Sequence, residues 1–175
     1  MQPAPLNEPS AALPPVMGVT VWLRKNKLLV TGAVYTTARF VMERDLSAAT
    51  GLLAWSKLDD EALGAVVRHR LESCRRVAAF DPLPSPREEV VRFDAKLAAL
   101  FGLSSSKGLF PGMTQVMVTR KPPSLFEFSP LKHRGGGYFH EFSDLWPDKQ
   151  PFNIRQDATD EEIGAATRLA MSKSI

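Results

Sequence analysis

His140 and Glu141 are the neighbouring side chains best suited to acid–base chemistry in this sequence. An imidazole beside a carboxylate can carry a proton near neutral pH. The sequence offers no convergent catalytic set around them, and neither His69 nor His133 belongs to a metal-ligand pattern such as HExxH or CxxC. An enzyme that uses His140 and Glu141 is therefore retained only as an alternative, and we expect no metal site and no cofactor.

Three further motifs have the composition of chemical sites, but each has a simpler structural interpretation. Ser104 and Lys107 match S-x-x-K, yet the companion motifs of that acyl-transfer class are absent. The three glycines at 135–137 lack the lysine and hydroxyl of a phosphate-binding loop, which favours a mobile turn. Cys74 falls on the apolar stripe of a predicted helix, so we expect a buried structural thiol.

The length and composition are typical of one globular domain. The chain has 175 residues, of which 44% are hydrophobic and 23% are charged. Its one cysteine, Cys74, allows no internal disulfide and suits a reducing compartment. Residues 1–16 lack the basic and apolar regions of a signal peptide, and no run reaches the ~18 apolar residues of a membrane-spanning helix. We therefore expect a cytoplasmic protein without membrane association.

Two helices are indicated in the first two thirds of the chain. The first covers residues 60 to about 77, with Asp59 as its N-cap. The second begins at a capping box, in which Ser85 is followed three residues later by Glu88. It ends near Gly102, since glycine readily adopts the left-handed conformation of a helix C-cap.

The last helix has the clearest start signal of the chain. Thr159 and Glu162 fit the S/T-x-x-E capping box, in which each side chain satisfies a backbone N–H group. Apolar residues then recur at helical spacing. This pattern predicts a C-terminal helix that is docked on the core and not frayed.

The first and last helices share a sequence pattern. Residues 60–68 and residues 160–168 have the same Asp, Glu, Gly, Ala and Arg at matching positions. Glycine inside a helix costs about 1 kcal/mol relative to alanine. Gly64 and Gly164 therefore suggest that something packs closely against each helix at that point, while coincidence and a true structural repeat both remain open.

The predicted strands and helices do not alternate regularly. Strands are indicated at residues 19–25, 28–34, 113–120, 125–128, 138–142 and 152–155, with residues 35–42 as a further extension of the sheet. Residues 132–137 are expected to form a basic, glycine-rich loop. The order predicts an α+β fold, a single domain with a mostly antiparallel or mixed sheet packed against three or four helices. Residues 17–175 would form this domain after a flexible, proline-rich leader at residues 1–16.

Charge is distributed unevenly along the chain. The formal net charge of +3 is too small to indicate a committed nucleic-acid binder. Residues 141–162 contain seven acids and two bases, a local net charge of −5, whereas the rest of the chain is basic. The basic side chains of the first helix suggest a solvated helix face, with a nucleic-acid patch as the alternative. They are Arg68, Arg70, Arg75 and Arg76.

Three segments resemble the immunity proteins of bacterial contact-dependent growth inhibition, the CdiI family. The closing residues EEIGAATRLAMSKSI, at 161–175, are similar to the closing helix of that family. Leu63-Gly64-Ala65 and the LES of residues 71–73 resemble its Leu-Gly helix, although Cys74 departs from the family pattern. The KGLFPGM of residues 107–113 is similar to its Leu-Phe-x-x-Met element.

The resemblance implies an inhibitor that has no catalytic activity of its own. Such a protein would bind and neutralise the C-terminal toxin domain delivered by a neighbouring cell, which in this family is expected to be a nuclease, and more specifically an RNase. The partner would be the cognate toxin domain, with no direct contact with nucleic acid. A small nucleic-acid-binding accessory protein is the alternative.

The toxin-binding surface is expected within residues 138–148, where aromatic rings alternate with acids. Interface hot spots favour rigid aromatics, and acids complement the basic cleft of a nuclease. The predicted contact residues are Tyr138, His140, Glu141, Asp144, Trp146 and Asp148. In the alternative interpretation, the aromatic residues close the core over a loop.

Overall fold

The structure begins with a β-hairpin. It is a computed structural model that describes residues 17–36, 40–42, 51–73, 75–77, 86–121, 125–134, 138–141 and 145–174. Strand β1 (Met17–Arg24) pairs antiparallel with β2 (Lys27–Thr36). Lys25 makes the turn in the left-handed region, with φ 55°. The hairpin was predicted, but its turn lies one residue earlier than expected.

Within the described residues, the hairpin belongs to a nine-stranded sheet. The other strands are β3 (Phe40–Met42), β4 (Leu53–Ala54), β5 (Arg75–Val77), β6 (Met113–Lys121), β7 (Leu125–Arg134), β8 (Tyr138–Glu141) and β9 (Phe152–Arg155). The main order is β3-β2-β1-β6-β7-β8, with β4 and β5 paired to β2 and β9 paired to β7. All of these pairs are antiparallel except β2 with β5, so the sheet is mostly antiparallel.

Helices cover both faces of the sheet. Helices α1 (Asp60–Glu72) and α3 (Asp160–Lys173) pack on the face that carries Val21 and Val118. Helix α2 (Pro86–Leu100) packs on the opposite face against Trp22. Alternate residues of a strand lie on opposite faces, which gives the protein two separate apolar clusters. The predicted α+β class, with a docked C-terminal helix, is confirmed.

Two predicted boundaries are wrong, and both for the same reason. The first helix ends at Glu72, not near residue 77, because Arg75–Val77 pairs in parallel with residues 34–36 of β2. Strand β7 continues to Arg134, so residues 132–134 are strand and not loop, since they pair with β8. In each case a distant partner strand overrides the local pattern. Cys74 and residues 135–137 lie outside the described residues.

Helices α1 and α3 cross with their backbones in contact. A methyl group built at Gly64 would overlap the carbonyl oxygen of Asp160, and one built at Gly164 would overlap that of Asp60. No residue larger than glycine fits at either position without movement of the opposing backbone. The close packing predicted from the two glycines is confirmed.

Two arginines stabilise this crossing through reciprocal contacts. Arg68 Nε lies 2.5 Å from Asp160 Oδ1, and Arg68 Nη2 donates to the Ala158 carbonyl at 2.5 Å. Arg168 Nε lies 2.5 Å from Asp60 Oδ1, and Arg168 Nη2 donates to the Leu58 carbonyl. Each helix therefore supplies the acid for the arginine of the other, so the matching sequences of the two helices form matching contacts.

The end of α3 is attached to the sheet by Ser174. Its hydroxyl accepts a hydrogen bond from the Leu131 N–H at 3.0 Å and lies within donating distance of the Gln115 and Leu131 carbonyls, at 2.5 and 2.8 Å. The hydroxyl thus bridges β6 and β7 in a buried position. The helix is docked at its C-terminal end as well as along its length.

Candidate functional site

Three of the six predicted contact residues lie on β8, the last strand of the main sheet order. Tyr138 pairs with Arg134, His140 with Lys132 and Glu141 with Leu131. The structure fixes the backbone of these residues at the outer side of β7. Asp144 lies outside the described residues.

The other two predicted residues follow in an ordered turn. Pro147–Lys149 forms one turn of 3-10 helix, in which the Lys149 N–H donates to the Trp146 carbonyl at 3.0 Å. Asp148 is exposed on this turn. The structure therefore places Trp146 and Asp148 on one short turn, a few residues before β9.

Trp146 is held by a cation. The Lys132 ammonium lies 4.1 Å from the centre of its indole ring, and the ring is half-buried. A cation over the face of an indole is attracted by the ring quadrupole. This contact therefore favours one orientation of the Trp146 ring at the surface of the described structure.

Leu145 is the most exposed large apolar side chain in the described part of the chain. It is 81% exposed, although it is next to Trp146. An exposed leucine next to Trp146 and close in sequence to the exposed Asp148 has the composition of a binding anchor. The prediction omitted it because the sequence pattern emphasised aromatic and acidic residues.

Much of the acidic stretch has local structural roles. Asp157 pairs with Arg155, Asp160 pairs with Arg68, and Glu162 closes the capping box by accepting from the Thr159 N–H at 2.7 Å. The Arg155 guanidinium lowers the pKa of the exposed Asp157 carboxyl below its usual value, first by hydrogen bonding. The free acidic surface is therefore smaller than the local net charge of −5 suggested.

An open groove lies between β9 and α3. Its volume is about 580 Å³, and its floor is apolar, with Phe152, Ile154 and Leu169 among its lining residues. Glu162 and Asp157 also line it.

The described residues contain no group of three His, Cys, Asp or Glu side chains that could hold a metal ion. His69 is exposed on α1, and His133 stacks on the Phe110 ring with 5.8 Å between the ring centres. Within the same residues, no helix combines the length and apolarity required to cross a bilayer.

The chain matches a known family and known structures. The family model described as CDI immunity protein matches residues 36–174. A protein of unknown function from Neisseria meningitidis superposes with a TM-score of 0.74 at 20% identity, covering 91% of this chain and 96% of that one. A chain of a CdiA-CT/CdiI toxin and immunity complex from Yersinia pseudotuberculosis superposes with a TM-score of 0.70 at 20% identity, covering 91% and 98%. A comparison with curated proteins gives no match.

Proposed function

This chain belongs to the family of CDI immunity proteins, in which CDI denotes contact-dependent growth inhibition, and we propose that it binds and neutralises the C-terminal nuclease domain of a CDI toxin. The match of the family model over residues 36–174 is the observation that carries this proposal. The likeness to a chain of a toxin and immunity complex is consistent with it. We propose an RNase as the cognate toxin and the cytoplasm as the place of action.

The toxin would bind at β8 and the turn that follows it. Leu145 supplies an exposed apolar anchor, and Trp146 is already oriented by Lys132. A preorganised side chain loses little conformational freedom when it binds, so more of its contact energy appears as affinity. We therefore place the centre of the interface at Leu145 and Trp146, with Tyr138, His140, Glu141 and Asp144 around it.

Neutralisation would follow from covering the nuclease cleft. A nuclease binds phosphates through a basic cleft, and exposed acids on the inhibitor complement that charge. Asp148 is exposed on the turn, where it would stand at the rim of the interface. The protein would act by occupying the cleft, without chemistry of its own.

The function is tested by titrating the purified chain into its cognate toxin domain while cleavage of RNA and of DNA is followed. We expect RNA cleavage that stops at one equivalent of the chain. Unchanged cleavage with excess chain would refute the immunity function. Cleavage of DNA alone, blocked at one equivalent, would refute only the RNase assignment.

The interface is tested by Leu145→Ala. Because hot-spot residues contribute about 2 kcal/mol or more, we expect the dissociation constant for the toxin to rise about 30-fold. Val91→Ala on α2 is the matched control, because Val91 is also exposed, at 59%, but lies on a different element. Calorimetric titration measures both constants. Equal, small effects of the two substitutions would show that Leu145 is not in the interface.

A further inference from the structure

The end of the β1–β2 hairpin brings together five basic side chains from three separate segments of the chain. They are Arg24, Lys25, Lys27, Lys57 and Lys107, which together are called the hairpin patch below. Arg24 and Lys27 face each other across the hairpin, and Lys25 lies in its turn. Three of the five therefore belong to one local structure.

Hydrogen bonds bring the other two cations to the hairpin. The Asn26 side-chain oxygen accepts from the Ser56 N–H at 2.8 Å, which places Lys57 beside the turn. A terminal nitrogen of Arg24 donates to the Gly108 carbonyl at 3.2 Å, which places Lys107 on the other side. These hydrogen bonds in the folded chain, and not proximity in sequence, bring Lys57 and Lys107 to the patch.

The positive charge of the patch has little local compensation. None of the five cations has a carboxylate within ion-pair distance among the residues that the structure describes. Asp59 is the nearest acid along the chain to Lys57, and its carboxylate caps α1 by accepting from the Ala62 N–H at 2.8 Å. The Lys27 ammonium donates to the Phe101 carbonyl at 3.3 Å, just beyond α2. Lys25, Lys57 and Lys107 are exposed.

We propose that the hairpin patch binds the phosphate backbone of nucleic acid, weakly and without sequence preference. Four of its five cations are lysines, which are depleted in protein–protein interfaces but suit phosphates as flexible point charges. Trp55, the aromatic residue nearest to Lys57, is half-buried with the Arg168 guanidinium 4.3 Å from its ring centre, so it is not available to stack on bases. Contacts to phosphates alone carry no sequence information.

The hairpin of this patch and the proposed toxin interface belong to different strands of the sheet. Strands β6 and β7 lie between β1 and β8, which gives three strand spacings, or about 14 Å. The proposal therefore goes beyond the proposed function and does not depend on it. It also revises the expectation from sequence that the protein makes no direct contact with nucleic acid.

The test measures binding of the chain alone to a labelled 20-base-pair DNA duplex and to an RNA duplex of the same length, by fluorescence anisotropy. With four phosphate contacts, affinity should fall about 100-fold between 50 and 200 mM salt. Lys25→Glu/Lys57→Glu should reduce the slope of log affinity against log salt by about 1.8. Arg92→Glu/Lys96→Glu on the exposed side of α2 is the control, because it changes the net charge by the same amount.

The outcomes distinguish nucleic-acid binding by the hairpin patch from a general effect of net charge and from binding of the toxin. Equal losses in both double variants, or no binding to either duplex at 50 mM salt, would overturn the proposal. Binding to polyglutamate without binding to the duplexes would assign the patch to an acidic protein surface and would also overturn it. Full inhibition of the toxin by Lys25→Glu/Lys57→Glu, together with lost duplex binding, is the expected pair of results.

Discussion

At the scale of residues, the same kind of side chain has different roles according to its neighbours. Asp160 is held in the helix crossing by Arg68, whereas Asp148 is exposed on its turn. Glu162 completes a capping box. Only exposed acids such as Asp148 can complement a partner at no cost to the fold, so the acidic segment provides fewer binding groups than it has acids.

Asp94 on α2 gives a prediction at this scale. Burial raises the pKa of its carboxyl above the usual value of about 3.8, because the charged form is less well hydrated. The folded state then retains this proton to higher pH than the unfolded state. The unfolding free energy therefore falls as pH rises from the unfolded pKa through the folded pKa. Asp94→Asn, which cannot ionise, should raise the melting temperature at pH 7, with an advantage that shrinks towards pH 4.

Asp157→Asn is the control, because the pKa of Asp157 is shifted in the opposite direction to that of Asp94. Arg155 lowers the pKa of Asp157, so its stabilising contribution is present above the unfolded pKa and is lost as pH falls through the folded pKa. Melting curves of both variants from pH 2 to pH 8 test the pair, because the contribution of Asp157 is lost only below its unfolded pKa. A pH-independent difference for Asp94→Asn would contradict the burial of its charge.

At the scale of elements, the crossing of α1 and α3 organises the core. The two glycines allow backbone contact, and each arginine reaches the acid and a backbone carbonyl at the start of the other helix. Each guanidinium also lies near an aromatic ring, Arg168 near Trp55 and Arg68 5.9 Å from the Phe126 ring centre. The crossing therefore combines close packing with charge-assisted hydrogen bonds.

Gly64→Ala tests the crossing. Helix propensity alone would make this change stabilising by about 1 kcal/mol. The overlap with the Asp160 backbone should reverse the sign, with a loss of about 3 kcal/mol or more, since overpacking against a backbone cannot be relieved by a rotamer change. Urea denaturation measures the difference. Gly108→Ala is the control, because open space surrounds that position, and a stabilised Gly64→Ala protein would refute the close contact.

At the scale of the whole molecule, the hairpin patch and the exposed Asp148 lie at different places on the sheet. The hairpin patch lies at the end of β1 and β2, and Asp148 follows β8 beyond β7. Cations also lie beside Asp148: Lys149 shares its turn, and Lys132 lies over the Trp146 ring. The proposed interface therefore carries charges of both signs, and the contribution of Asp148 has to be measured on its own.

Asp148→Lys tests, through association kinetics, whether Asp148 attracts the toxin electrostatically. Charges at the rim of an interface change the association rate more than the dissociation rate. We expect a severalfold slower association with the toxin at 50 mM salt and a difference that nearly vanishes at 0.5 M salt, measured by stopped-flow fluorescence. Glu72→Lys on the exposed side of α1 is the matched control for charge. An effect confined to dissociation, or equal effects of both variants, would contradict it.

The sequence was sufficient wherever the signal is local. The Thr159 and Glu162 capping box, the Asp59 cap and the hairpin are each encoded within a few neighbouring residues, and the structure contains all three. The α+β class also followed from the order of elements. Of the proposed site, the sequence indicated Trp146 and Asp148, which belong to one turn in the structure, but it gave no reason to include Leu145.

Only the tertiary structure decided which distant residues meet. The matching helices suggested two close contacts, but not that Gly64 and Gly164 would pack against each other's helix. The same holds for residues 75–77, which became a strand by pairing with β2, and for a basic patch assembled from three separate segments. Local propensity acts over a few residues, whereas strand pairing and the proximity of charges depend on which distant segments become neighbours in the folded chain. Burial of the whole apolar core decides which segments these are.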